Sequence, residues 1–196
     1  METIEGCGTV TAFLIERNPM KQPRLKLYLV DIKYIRDLAR VDDHVMSVSP
    51  QISKSTRPFI GVIVICDDKE YCVPLSSPKP KHQNMNNDKD FTKIYDGNKL
   101  IAVLNFNEMI PVSRDVIQQL DMRIHPNDSE QTIRYKKLTA KQLSICQKNQ
   151  DAIVQKANKL YQTIYSPGVS LQLVRRCCDF KKLEEVLAKR SVQEDG

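Results

Sequence analysis

The stretch Phe59-Ile60-Gly61-Val62-Ile63-Val64-Ile65-Cys66 constrains this chain more than any other. It is apolar on both faces and rich in β-branched residues, so it must be a strand buried on two sides. Asp67-Asp68 follows as a turn, because Asp tolerates tight-turn backbone, and Lys69 to Val73 returns as the hairpin partner. A hairpin with a two-sided apolar strand needs further strands and a covering layer. The sequence supplies both. Leu25, Leu27 and Leu29 alternate as a strand with one apolar face. Asp31 is placed to cap a helix carried by Ile32, Ile35, Leu38 and Ala39. Further strands are read at Phe91 to Tyr95, Leu100 to Phe106 and Met109 to Val112, with a turn at Asp96-Gly97-Asn98. From Ser129 the periodicity becomes helical, with Ile133, Leu138, Leu143, Ile153, Leu160 and Ile164 apolar. Ser166-Pro167-Gly168 breaks it, and Phe180, Leu183, Val186 and Leu187 carry a last helix. The expected fold class is therefore α+β, a compact, mostly antiparallel sheet or partly closed barrel with flanking helices and a helical C-terminal part. With 196 residues, one domain over residues 24–196 is expected, preceded by an extension, residues 1–23, of unassigned role.

Charge and cysteine usage narrow the class of partner. A net charge of +6 favours a polyanion over an acidic partner. The six cysteines contain no C-x-x-C pair and the three histidines are scattered, so zinc-site spacing is absent. Adjacent Cys177-Cys178, in a helical pattern, are most simply buried or half-buried thiols of a cytoplasmic protein. The opening Met-Glu-Thr-Ile-Glu places acid where a signal peptide needs base, and the apolar run Ala12 to Ile15 is too short to span a membrane.

The chemistry concentrates in Pro74-Leu-Ser76-Ser77-Pro78-Lys79-Pro80-Lys81-His82-Gln83, at the end of the return strand. Prolines fix their own φ and bias the preceding residue away from the helical region, which stiffens the display of two hydroxyls, two lysines and an imidazole. Such a set suits gripping a phosphate and moving a proton beside it. Ser76-Ser-Pro-Lys79 also has the spacing of Ser–Lys acyl enzymes, but that motif needs a helical turn, which Pro80 disfavours at Lys79. Asp67-Asp68-Lys69-Glu70 reads as a hairpin tip rather than a nuclease metal cluster, and neither a catalytic metal nor another cofactor is expected.

What remains is RNA cleavage without a metal, in which the RNA supplies its own 2′-hydroxyl nucleophile. Ser76 and Ser77 would orient the phosphate or relay a proton, Lys79 would clamp charge or act as acid, and Arg57 would add a second cation. Lys81 and His82 are candidates for phosphate contact, and Phe91 and Tyr95 for base stacking. Lys136, Lys137 and Lys141 mark either a solvated helix face or an RNA-binding one. A non-catalytic RNA-binding regulatory module is the alternative from another class.

Taken as an ordered set, Lys26-Leu-Tyr-x-Val-x-x-x-Tyr34-Ile, Arg57-Pro-Phe-Ile-Gly-Val-Ile, Tyr71-x-x-Pro-Leu-Ser-Ser-Pro-Lys79 and Asn105-x-x-x-Met-Ile-Pro111 resemble the type III toxin–antitoxin endoribonucleases of the ToxN/AbiQ/CptN family. The resemblance covers residues 24 to 190 and implies a MazF/Kid-like barrel core. It also implies sequence-selective, metal-independent cleavage of cellular or phage RNA, leaving a 2′,3′-cyclic phosphate, in an antiviral abortive-infection role. The implied partner is a small, structured, pseudoknot-like RNA antitoxin. The resemblance further implies that the toxin cuts this RNA from a tandem-repeat precursor and is held by it in a closed ring of two or three protomers. By motif position the family's catalytic hydroxyl falls on Ser76, its neighbour on Ser77, its lysine on Lys79 and the basic residue before the central strand on Arg57.

Overall fold

The structure is a computed structural model and describes residues 22–46 and 59–194. The N-terminal extension and Arg57 therefore lie outside the described residues. The long apolar run is β2 (Phe59–Cys66), and it forms a hairpin with β3 (Lys69–Ser76). Asp67 and Asp68 turn it with φ of 50° and 57°, the left-handed pair that matches strand twist in a two-residue hairpin. Gly61 is required in β2 because a Cβ there would lie 2.4 Å from the Val73 carbonyl oxygen.

Around this hairpin the sheet grows to seven antiparallel strands. β1 (Leu27–Val30) pairs with β2 on one side and with β7 (Ile117–Gln119) on the other. The far edge of β3 is shared by two partners. β6 (Ile110–Pro111) pairs with its early residues, and β5 (Lys99–Asn105), itself in a hairpin with β4 (Phe91–Asp96), pairs with its last two. The order is β4-β5-β3-β2-β1-β7, with β6 beside β3, so the sheet is open and β4 and β7 are its edges.

The helices form the second layer. α1 (Ile32–Val41) is capped by Asp31, whose carboxylate accepts from the Lys33 N–H at 2.7 Å, and it buries Tyr34, Ile35 and Leu38. The buried Tyr34 hydroxyl donates to the Pro111 carbonyl at 2.7 Å, tying α1 to β6. The expected long helical region is broken at Asn149 into α3 (Glu130–Lys148) and α4 (Gln150–Ile164). α3 packs on β4 and α4 on β2, while the last helix (Phe180–Glu194) packs on β6 and α1. One contiguous core joins sheet and helices, from Leu27 through Val64 and Leu104 to Leu160 and Leu183. Cys66, Cys72, Cys146, Cys177 and Cys178 are buried free thiols, and burial pushes those of Cys66, Cys146 and Cys177 up to about 12, which keeps them protonated.

Between β3 and β4 the proline-rich stretch departs from the expected extended loop. Lys79 is extended (φ −107°, ψ 158°), but Pro80 then starts a short helix, α2 (Pro80–Asn84). The same fixed φ that disfavours helix at the residue before a proline suits the first helical position.

Candidate active site

The site is built where β3 ends. Ser76 faces Val103 of β5, and Val103 faces Lys93 of β4, so the three side chains share one face of the sheet. Asn105, two residues beyond Val103, lies diagonally across from Ser76 on that face. Its Nδ2 donates to Ser76 Oγ at 3.3 Å and to Glu108 Oε2 at 3.3 Å. Glu108 closes the 3₁₀ turn Phe106–Glu108, held between the fully buried Phe106 and Met109. Ser76, Asn105 and Glu108 are each half-buried. Because Ser76 Oγ already accepts from Asn105, its hydrogen is left to donate, and it finds no acceptor among the described residues.

α2 roofs this face. The His82 ring lies 5.3 Å from the Phe91 ring, and His82 Nδ1 accepts from the Lys79 N–H at 2.9 Å. The His82 N–H returns a bond to the Lys79 carbonyl at 2.9 Å. This reciprocal pair fixes the Lys79 backbone. Burial, then the charges of Lys81, Lys79 and Lys93, hold the imidazole below its usual range and keep it neutral, as an accepting Nδ1 requires. Lys93 also donates from Nζ to the Gln83 carbonyl at 3.0 Å. Ser77, Lys79 and Lys81 are exposed, and neither ammonium has an ion-pair partner among the described residues. Burial raises the Glu108 carboxyl above its usual range, against the Asn105 hydrogen bond and the attraction of Lys79 and Lys81. The end of β3 thus gathers three lysines and a carboxylate held above its usual range near a serine whose hydroxyl hydrogen has no acceptor among the described residues.

Several expected contacts need correction. His82 is not displayed for phosphate contact; it is buried and braces the loop. Phe91 is buried against it, so it is no stacking platform. Tyr95 is exposed, but a bulge after Ile94 pairs it with Leu100 near the hairpin tip, beyond the Ser76 row. On α3, Lys136 is enclosed, with Nζ donating to Asp128 Oδ2 and to the Arg123 carbonyl, both at 2.7 Å. Lys141 lies 2.5 Å from Asp96 Oδ2, while Lys137 is exposed with no such partner among the described residues. Asp128, just before α3, and Asp96, at the β4–β5 turn, thus pair with two of the three lysines that the sequence presents as a basic face. Lys93 and Glu108 were missed, and Asn105 stood in a motif without a role; strand pairing, not local spacing, brings all three to Ser76. One cluster with cation-ligand spacing exists among the described residues, Asp42, Asp43 and His44. It lies by α1, and Asp42 is already spent on the Asp179 and His44 N–H groups at 2.6 and 2.9 Å.

Residues 26–188 match the family described as toxin ToxN of type III toxin–antitoxin systems. The chain belongs to the ToxN family. It is 27% identical over 165 residues to Endoribonuclease ToxN of Pectobacterium atrosepticum, covering 82% of this chain and 91% of that one. It is 30% identical over 168 residues to Endoribonuclease ToxN of Bacillus thuringiensis subsp. kurstaki, covering 82% and 81%. Among solved structures, a ToxN-like fold recurs in one reported for selective toxin inhibition by a non-coding RNA pseudoknot in a type III system. It has a TM-score of 0.69 and 28% identity over 86% of this chain and 99% of that one. A second, reported for a bacterial antiviral system regulated by a processed non-coding RNA, gives 0.63 and 26% over 82% and 95%. The match to the family begins one residue before β1 and ends within the last helix, so the sheet, the proline ledge and both long helices all lie inside it.

Proposed function

We propose that this ToxN-family chain is a cytoplasmic, metal-independent endoribonuclease toxin. It cleaves RNA by attack of a 2′-hydroxyl on the adjacent phosphorus. The P–O5′ bond breaks, the 2′-proton passes to an acceptor, the 5′-oxygen receives a proton, and a 2′,3′-cyclic phosphate remains. The observation that carries this reading is the pairing of one hydroxyl hydrogen, on Ser76, with two ammonium groups, on Lys79 and Lys81, all three without a partner among the described residues, along one stiff ledge. Ser76 donates to a phosphoryl oxygen, and Ser77 adds an exposed hydroxyl beside it. Lys79 stabilises the charge that develops on the phosphoryl oxygens and can protonate the leaving 5′-oxygen. Arg57 supplies a further cation where the central strand begins. Because the nucleophile belongs to the substrate and the charge is met by lysines, no step calls for a metal-activated water. Among the described residues no helix is long and apolar enough to cross a membrane.

The inhibitor in this reading is a small, structured RNA that the toxin cuts from a repeat precursor and that fills the same ledge, closing a ring with two or three protomers. The support is chemical: a surface that accommodates a bent ribose-phosphate link in a substrate accommodates one in an inhibitor. The test compares the parent with Ser76→Ala and Lys79→Ala for growth arrest and for integrity of cellular RNA, with and without a chelator in vitro. Loss of both effects in the variants, undisturbed by the chelator in the parent, is expected. Growth arrest with intact RNA in all three would favour the non-catalytic RNA-binding alternative.

A further inference from the structure

A carboxylate beside a site for polyanions is a liability for binding, so its presence needs a reason. Glu108 opposes the lysine charge that would draw RNA in, and among the described residues no lysine bonds to it directly. What it does bond is the Asn105 amide, and the same amide nitrogen holds Ser76 Oγ. A primary amide can present either its nitrogen or its oxygen, and only the nitrogen suits a carboxylate. Glu108 thereby settles which end of Asn105 faces Ser76. With the nitrogen facing it, Ser76 accepts and keeps its own hydrogen for the substrate. With the oxygen facing it, Ser76 would donate to Asn105 and have no hydrogen to offer a phosphate.

We propose that Glu108 and Asn105 are positioning residues that hold Ser76 as a hydrogen-bond donor toward the scissile phosphate. The inference rests on the nuclease reading of Ser76. Its geometry is braced from both sides. The Phe106 and Asn107 N–H groups bond the Asp90 carbonyl at 2.9 and 3.3 Å, and the Asn107 carbonyl accepts from the Cys178 N–H at 2.8 Å. Asn107 Nδ2 adds a bond to the Arg176 carbonyl at 2.9 Å. Such bracing places Glu108 on a rigid turn, as a group that must orient another does. Burial without a cationic bond also leaves the carboxylate higher in energy than an ordinary surface glutamate, a cost that suits a functional role better than a structural one.

The experiment measures single-turnover cleavage of a long in-vitro transcript of mixed sequence by the parent, Ser76→Ala, Glu108→Gln and Glu108→Asp, together with the half-saturating protein concentration and Tm. Glu108→Gln keeps the shape but no longer dictates the amide orientation. It should slow cleavage at saturation by roughly 10- to 100-fold, as for coupled hydrogen-bonded neighbours, with half-saturation held and Tm no lower than the parent's. Glu108→Asp, shorter but still charged, should retain more activity than the isosteric Gln; a packing role would reverse that order. Cleavage by Glu108→Gln within about twofold of the parent, with Ser76→Ala silent, would overturn the inference. Parental cleavage by Ser76→Ala would instead sink the nuclease reading beneath it. Should Glu108→Gln fail to fold, Asn105→Ala carries the same test: loss of rate with Tm held supports the proposal, and a parental rate overturns it.

Discussion

The two ends of β3 carry two polar clusters of opposite character. At its start, Glu184 of the last helix accepts from the Tyr71 hydroxyl at 2.5 Å, from the Tyr161 hydroxyl at 2.7 Å and from Lys69. Lys181 completes the group through the Tyr161 hydroxyl at 2.5 Å. The rings of Tyr71, Tyr161 and Phe180 pack edge-to-face and stacked around it, with centroids 5.6 to 5.9 Å apart. Every donor there has an acceptor within the protein. At the strand's end, seven residues after Lys69, Ser76 and then Lys79 and Lys81 beyond it have groups to spare, and Glu108 has one weak bond among the described residues. The two glutamates register the contrast. Burial would raise both, yet Lys69, Tyr71 and Tyr161 hold Glu184 below the usual carboxylate range, whereas Asn105 and the distant lysines leave Glu108 above it. A polar cluster that satisfies itself fastens the fold. One left unsatisfied at a surface awaits a ligand.

The largest effect should come from breaking the open cluster. Lys79→Ala is expected to lower RNA cleavage by roughly 100-fold or more, the scale of removing one preorganised charge-stabilising group, with Tm within a few degrees of the parent. Single-turnover rates and a thermal melt check both halves. A large drop in Tm would place Lys79 with the fastening residues instead.

Glu184→Gln should show the inverse pattern. Removing the charge from an enclosed network of this kind costs roughly 2–4 kcal/mol, visible in a denaturant titration, while the cleavage rate per folded molecule stays parental. Tyr71→Phe removes one of its donors and should cost about 1 kcal/mol by the same measurement.

Acidity separates the two glutamates by sign. Glu184, depressed in the folded state, contributes stability above its unfolded value of 4.5, which is lost as the pH falls through the folded value. Glu108, raised in the folded state, costs stability once the pH exceeds 4.5, and acidification relieves that cost. The charged and titratable groups facing Glu108 are Lys79 and Lys81 from the ledge and Cys178 from the segment before the last helix. Thermal melts across pH 4 to 8 should therefore find Glu108→Gln a few degrees above the parent at neutral pH and Glu184→Gln below it, the two differences shrinking together on acidification. Equal signs at neutral pH would abolish the distinction between the clusters.

This contrast also explains what could be read from the chain without coordinates. The β2–β3 hairpin was legible because a two-faced apolar run ending in Asp67-Asp68 permits little else, and α1 because Asp31 precedes a helical repeat. β7 was not, since Ile117-Gln-Gln has no alternation and exists as a strand only because β1 offers it an edge. The ledge residues Ser76 and Lys79 stand together in sequence and could be found there. α2 was hidden because its starting proline reads equally well as a stiff extended segment. Glu108 was hidden more deeply: it lies 32 positions from Ser76, and only the β3–β5 pairing joins them. Short-range chemistry is visible in sequence, whereas chemistry assembled across a sheet is not.

The smallest expected effect tests whether the same contrast holds on α3, where one lysine is spent and its neighbour is not. Lys136 is fastened to Asp128 and Arg123, so Lys136→Ala should lower Tm and leave RNA affinity unchanged. Lys137 carries its charge in solvent. In a Ser76→Ala background that binds without cutting, Lys137→Ala should reduce the slope of log affinity against log salt by about 1, the loss of one released counterion, with Tm unmoved. The slope is the better readout than the affinity at any single salt concentration, because one exposed lysine changes the latter only slightly. An unchanged slope would mean that α3 turns a merely solvated face outward, and that the charge RNA meets is confined to Lys79, Lys81 and Lys93 around the ledge. A slope reduced by both substitutions would mean that the Lys136–Asp128 pair opens to meet RNA, so that spent and unspent groups could not be told apart from their partners alone.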